Sequence, residues 1–118
     1  MENSKQYDLA DRTFNFAQRV RTLVKKLTKT MGNIEDGKQV IRSSGSVGAN
    51  YIEANESLSK KDFVLRIKIC RKEAKESRYW LRLIDMNRDS TYEEERQNLA
   101  QEAYELTNIF GAILRNAK

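Results

Sequence analysis

The sequence predicts an all-α protein, an antiparallel up-down four-helix bundle, and three observations carry that prediction. Helix breakers are scarce: the 118 residues include no proline and only five glycines, the two residues that cost most inside a helix. Charged residues make up 33% and hydrophobic ones 39%, a mixture that suits amphipathic helices better than disorder, which buries too little apolar surface. Apolar residues recur in alternating steps of four and three within separate segments, the spacing that puts them on one helical face. The length fits a single domain, 1–118, able to bury a core without disulfide or metal staples.

The first helix is expected over Tyr7–Thr28, where Leu9, Thr13, Phe16, Val20, Leu23 and Leu27 form one stripe. "TKTMGN" then punctuates the pattern through Gly32 and Asn33. The second helix is expected from Asn33 or Ile34 to Asn55, with early acids suited to the positive end of the helix dipole. The third opens at "SKKD", where Ser59 can cap and Asp62 stands three residues on. Its stripe is the cleanest in the chain: Phe63, Ile67, Cys70, Ala74, Ser77, Leu81 and Ile84. The fourth begins with a similar box, Ser90 with Glu93 or Thr91 with Glu94, and carries Leu99, Ala103, Leu106, Phe110, Ile113 and Ala117. Short links between such helices specify antiparallel neighbours. The third helix holds a second apolar set, Ile69, Trp80 and Leu83 with Val64 and Leu65. That set is either a broadened core face or a surface for another subunit.

The stretch "RSSGSVGANYIEANES", 42–57, admits two opposite readings. A P-loop needs its second glycine followed by Lys and then Ser or Thr, whereas Gly48 is followed by Ala49 and Asn50. "GSVG" matches the G-x-x-G of an RNA-clamping KH loop, but that fold needs strands the chain does not offer. Wound as a helix, Ile41, Gly45, Gly48 and Ile52 form one row whose small members let a neighbouring helix approach closely. Beside it runs a polar row, Arg42, Ser46, Asn50 and Glu53, whose members can meet on one face. That row is either a solvated edge or a semi-buried network that fixes register or receives a ligand. Glu76 on the next helix is expected to join Glu53 in one cluster at the bundle edge or a subunit seam.

Charge is unevenly spread behind the net +5: residues 1–57 hold nine basic against seven acidic side chains, 58–88 ten against four, and 89–118 three against six. On the third helix Lys61, Lys68, Lys72, Lys75 and Arg82 fall on one row, opposite the Phe63–Ile84 stripe. Such a row can neutralise phosphates and release counterions; it can equally be a solvated face, since Glu73 and Glu76 lie nearby. No zinc-ligand set, single-strand stacking platform or helix-turn-helix pattern accompanies it, so base-specific readout is not indicated.

Catalysis finds little support. There is no histidine, the usual general base near neutral pH and the commonest metal ligand. Cys70 sits on the core stripe, where a structural thiol is expected. Glu53, Glu76, Glu102 and Glu105 are the carboxylates available inside a bundle, but the paired Glu-x-x-His motifs of di-iron bundles need histidine. The reading is therefore no catalytic residue, no metal and no cofactor. One cysteine allows no internal disulfide, and neither a signal-peptide core nor a membrane-length apolar run is present, so a cytoplasmic protein without a membrane role is expected.

Three marks lie together from Arg42 onward: Arg42-x-x-x-Ser46-Val-Gly-Ala-Asn50-x-x-Glu53-Ala, Ser59-Lys-Lys-Asp-Phe63, and Lys72-Glu-Ala-x-Glu76-x-x-x-Trp80-Leu81. Through them the chain resembles, over essentially its whole length, the bacterial four-helix-bundle family named for proteins encoded in intervening sequences of 23S ribosomal RNA genes. The resemblance implies an antiparallel four-helix bundle that assembles as a ring-shaped homopentamer and has no established enzymatic activity. It also implies kinship in fold with the accessory variability proteins of diversity-generating retroelements, which engage nucleic acid and a reverse transcriptase. Ala54 and Asn55 depart from the Ala-Glu-Gly of many relatives, which puts the end of the second helix in doubt. Two functions follow as expectations. One is an oligomeric module whose basic row binds RNA or DNA without strong sequence preference. The other is a scaffolding oligomer, in which Trp80, Leu83 and Tyr79 build subunit contacts and the basic row meets an acidic protein.

Overall fold

The computed structural model describes residues 8–86 and 90–117. They form four helices: α1 (Leu9–Lys25), α2 (Met31–Asn55), α3 (Lys60–Leu83) and α4 (Ser90–Asn116). No strand occurs among the described residues. The molecule measures 45 × 32 × 19 Å, so its thin dimension is about two helix diameters. Cross-helix partners run in opposite directions: α2 meets α3 through Arg42–Glu76, Ser43–Ser77 and Asn50–Arg66, and α1 meets α4 through Arg12–Glu102 and Arg19–Glu95. The most extensive packing is α2 on α3 and α3 on α4; α1 packs on α4 more sparsely than on α2.

The predicted stripes are the core. Thr13, Phe16, Val20 and Leu23 on α1, Ile67, Cys70, Ala74, Ser77 and Leu81 on α3, and Leu99, Ala103, Leu106 and Phe110 on α4 are all buried. Phe63, Ile113 and Ala117, at the stripe ends, are half-buried. From α2 the core takes Val40, Ser43, Ser44, Val47 and Ala54, with the Tyr51 ring tilted against Phe110 at 6.0 Å between centroids. The second apolar set of α3 divides: Val64, Ile69 and Trp80 are half-buried, whereas Leu65 and Leu83 are exposed.

Helix ends differ from expectation for local reasons. α1 starts at Leu9, with the Asp8 side chain accepting from the Asp11 amide at 3.1 Å; the expected start at Tyr7 lies outside the described residues. It stops at Lys25 rather than Thr28, its last turn tightened by Lys26 and Leu27 amides donating to Leu23 and Val24 carbonyls. α2 begins at Met31, earlier than Asn33, because Thr30 is the cap and accepts from the Asn33 amide at 3.1 Å. Asn33 is thus inside the first turn and buried. Its side-chain amide donates to the Thr28 carbonyl (3.0 Å) and the Asp85 carbonyl (2.8 Å) and accepts from the Asp85 amide (3.0 Å). The α1–α2 link is thereby pinned to the end of α3. Ser59 caps α3, accepting from the Asp62 amide at 3.0 Å. α4 starts at Ser90, whose side chain lies outside the described residues. Glu93 pairs with Arg96 and accepts from Gln97 at 2.7 Å, which holds its carboxyl below the usual range. Arg96 also donates to the Leu81 carbonyl at 3.1 Å, clasping α4 to α3.

Gly45 to Asn50 is helical throughout, which removes the phosphate-loop reading. Gly48 marks the close approach of α1: a Cβ there would stand 3.0 Å from Thr13 Oγ1 and 3.3 Å from its Cβ. No described helix is long and apolar enough to cross a membrane.

Candidate nucleic-acid interface and polar clusters

The orientation of α3 follows from its core stripe. Five of its residues, Ile67, Cys70, Ala74, Ser77 and Leu81, have no solvent exposure, so the side of the helix opposite them faces outward. Lys61, Lys68, Lys72, Lys75 and Arg82 all stand exposed there. Only Lys72 has an ion-pair partner among the described residues, Glu73 at 3.6 Å. From Lys61 to Arg82 the row runs about 32 Å at helical rise, close to one turn of a duplex. Tyr79, 56% exposed, continues the same spacing between Lys75 and Arg82. Its ring lies edge-on to Trp80 at 5.1 Å. It therefore belongs to the cationic row as much as to any apolar contact, a position legible from the steps 68, 72, 75, 79, 82.

The polar residues divide into two groups rather than one cluster. Arg42 donates to Glu76 at 2.9 Å and approaches the Glu73 carboxylate at 3.9 Å. About two helical turns away, Asn50 donates to the Ser46 carbonyl (3.0 Å) and hydroxyl (2.9 Å) and accepts from Arg66 at 2.9 Å. Glu53 joins neither group: its side chain is exposed and has no partner among the described residues. The register explains the separation. Asn50 faces Arg66, and Glu76 lies ten positions further along α3, about 15 Å away. Within one chain the antiparallel pairing therefore keeps Glu53 and Glu76 apart.

Glu73 and Arg66 escaped the sequence reading. Glu73 is buried at 6% exposure, and its Oε1 has no hydrogen-bond partner among the described residues. It sits beside Ser77, whose hydroxyl donates to the Glu73 carbonyl (2.9 Å) and lies 2.7 Å from the Ser43 hydroxyl. A signal existed: Glu73 follows Cys70 by three positions and precedes Ser77 by four, on the margin of the stripe. Arg66 became legible only through the pairing of α2 with α3.

Of the carboxylates considered for catalysis, Glu76, Glu102 and Glu105 pair with arginines, and Glu53 stands alone among the described residues. Arg12 forks onto Glu102 at 2.7 and 2.9 Å and reaches Glu105 at 2.9 Å, contacts that raise the guanidinium's affinity for its proton. Cys70 is buried and its thiol is pushed up to about 12, burial being the main cause. A thiol so protonated is no nucleophile at neutral pH.

Residues 5–112 match the family described as 23S rRNA-intervening sequence protein. No curated protein matches the chain. A crystal structure at 1.70 Å of a protein of unknown function from the S23 ribosomal protein family of Bacteroides thetaiotaomicron is similar. Its TM-score is 0.76 at 30% identity, covering 89% of this chain and 96% of that one.

Proposed function

Because the chain belongs to the 23S rRNA-intervening sequence protein family, we propose that it is a non-catalytic, self-associating module of the cytoplasm, a homopentamer that binds RNA or other nucleic acid through α3. The observation that carries this reading is the outward row Lys61, Lys68, Lys72, Lys75 and Arg82, exposed along its length and, among the described residues, neutralised only at Lys72. Cations so arranged displace condensed counterions from phosphates, which gives affinity without base-specific readout. Tyr79 adds a π-face amid the cations, suited to an unstacked base. Repetition of the row around an assembly multiplies weak single contacts through avidity.

The test is fluorescence anisotropy with a labelled single-stranded RNA and a duplex of equal length, across a salt series. The triple variant Lys72→Glu, Lys75→Glu, Arg82→Glu keeps its helical circular dichroism, loses retention, and flattens the dependence of log K on log salt by about 2–3. Wild-type protein indifferent to both RNAs at low salt overturns the reading.

The exposed apolar residues support a second reading, a scaffold without a nucleic-acid role. Leu83 and Ile52 are 49% and 59% exposed, more apolar surface than a solitary bundle needs.

A further inference from the structure

Between the start of α3 and the end of α4 lies an open groove of about 780 Å³, its floor formed by Val64, Leu65 and Leu114. Lys60, Lys61, Lys68 and Arg115 line it, against one acid, Asp62. None of the four cations has an ion-pair partner among the described residues, and Leu65 is 54% exposed. An apolar floor ringed by unpaired positive charge suits an apolar side chain flanked by carboxylates.

The chain carries that complement itself. On α1, Phe14 is 59% exposed, three residues after Asp11. Asp8 and Asp11 lie next to one another at the head of the helix, both fully exposed. Neither has a cationic partner among the described residues, since Arg12 is taken by Glu102 and Glu105. Asp11 holds its proton more tightly than usual because Asp8 bonds to it and repels its charge, a cost that an incoming cation relieves.

We propose that a second copy of this chain occupies the groove: Phe14 of one subunit enters between Leu65 and Leu114 of the next, with Asp8 and Asp11 facing Lys60, Lys61 and Arg115. The contact joins two different surfaces, so repetition closes a ring or extends a filament rather than stopping at a two-fold dimer. An aromatic anchor in an apolar pocket with a charged rim is the usual energetic centre of such an interface. The inference rests on the self-associating module proposed above and divides α3 between two tasks. The groove covers Lys61 and Lys68, which leaves Lys72, Lys75, Tyr79 and Arg82 to meet nucleic acid.

The experiment is native mass spectrometry and sedimentation of the full chain, nuclease-treated. Leu65→Asp and Phe14→Asp, both at exposed positions, each leave helicity intact and yield monomer. Asp11→Lys and Arg115→Glu singly raise the concentration needed for assembly about tenfold, and the two together restore it. In mixtures of Asp11→Cys and Arg115→Cys subunits, a short bismaleimide links one to the other, while the buried Cys70 thiol stays unmodified. Assembly that survives both aspartate variants, or cross-links that join position 11 to position 11, overturns the interface and leaves self-association standing. A monomeric wild-type chain overturns both.

Discussion

At single residues, the physics turns on what surrounds each atom rather than on residue type. Gly32 and Gly48 lie in the same helix, yet substitution by alanine has opposite effects. Around Gly32 nothing among the described residues beyond its chain neighbours and the backbone of its own helix lies within 4 Å of a new Cβ, so Gly32→Ala gains up to about 1 kcal/mol from helix propensity. At Gly48 the new Cβ meets Thr13 Oγ1 at 3.0 Å. That hydroxyl cannot swing away freely, because it donates to the Leu9 and Ala10 carbonyls at 2.9 and 3.0 Å. Gly48→Ala therefore destabilises by about 1–2 kcal/mol despite the better propensity. Urea midpoints of the two variants check the pair: a Gly48→Ala protein at or above wild-type stability contradicts the close α1–α2 approach. The row Ile41, Gly45, Gly48, Ile52 was legible as a site of close packing; which glycine bears the contact was not. Gly45 faces only the mobile end of Arg21, 3.3 Å from its Nη2.

At the scale of elements, helix existence was written in the periodicity and helix ends were not. The α1, α3 and α4 stripes came straight from steps of four and three, since burial on one face leaves that pattern in any helix. α2 hid its core face because two serines, Ser43 and Ser44, occupy it, satisfied by backbone carbonyls and by Ser77. Polar residues there look like surface in a sequence. Asn33 misled in the opposite direction, reading as a turn residue while working as a buried clasp between the first link and the end of α3. Asn33→Leu removes three hydrogen bonds at once and costs about 2–3 kcal/mol. Thermal or urea unfolding measures it; a loss below about 0.5 kcal/mol means that the clasp does not hold the junction. The same limit applies to the candidate site: the cationic row needed only the 3.6 period of one helix, whereas the split of the polar cluster needed the register between two.

For the whole molecule, the proposed function turns on how charge and apolar surface divide between self-association and an anionic ligand. One helix, α3, carries the most basic segment of the chain together with exposed Leu65, Tyr79 and Leu83. That combination underlies the proposal of an assembly that binds polyanions, and the two proposed activities have separate measurements. Native mass spectrometry of protein recovered from cells, with nucleic acid neither digested nor removed, is expected to show five-subunit masses carrying RNA. Five-subunit masses without cargo favour the scaffold reading over nucleic-acid binding, and a bare monomer removes both. By itself, the sequence determined the helical class, three of the four core stripes, the unreactive setting of Cys70 and the outward cationic row, because each depends on spacing within one helix. Only the tertiary structure decided that Glu53 and Glu76 stand apart, that Arg66 serves Asn50, that Glu73 is buried, and that an apolar groove opens between α3 and α4. Those follow from how far antiparallel helices are slid past one another. That offset is set by the packing of all four stripes together, and no single helix encodes it.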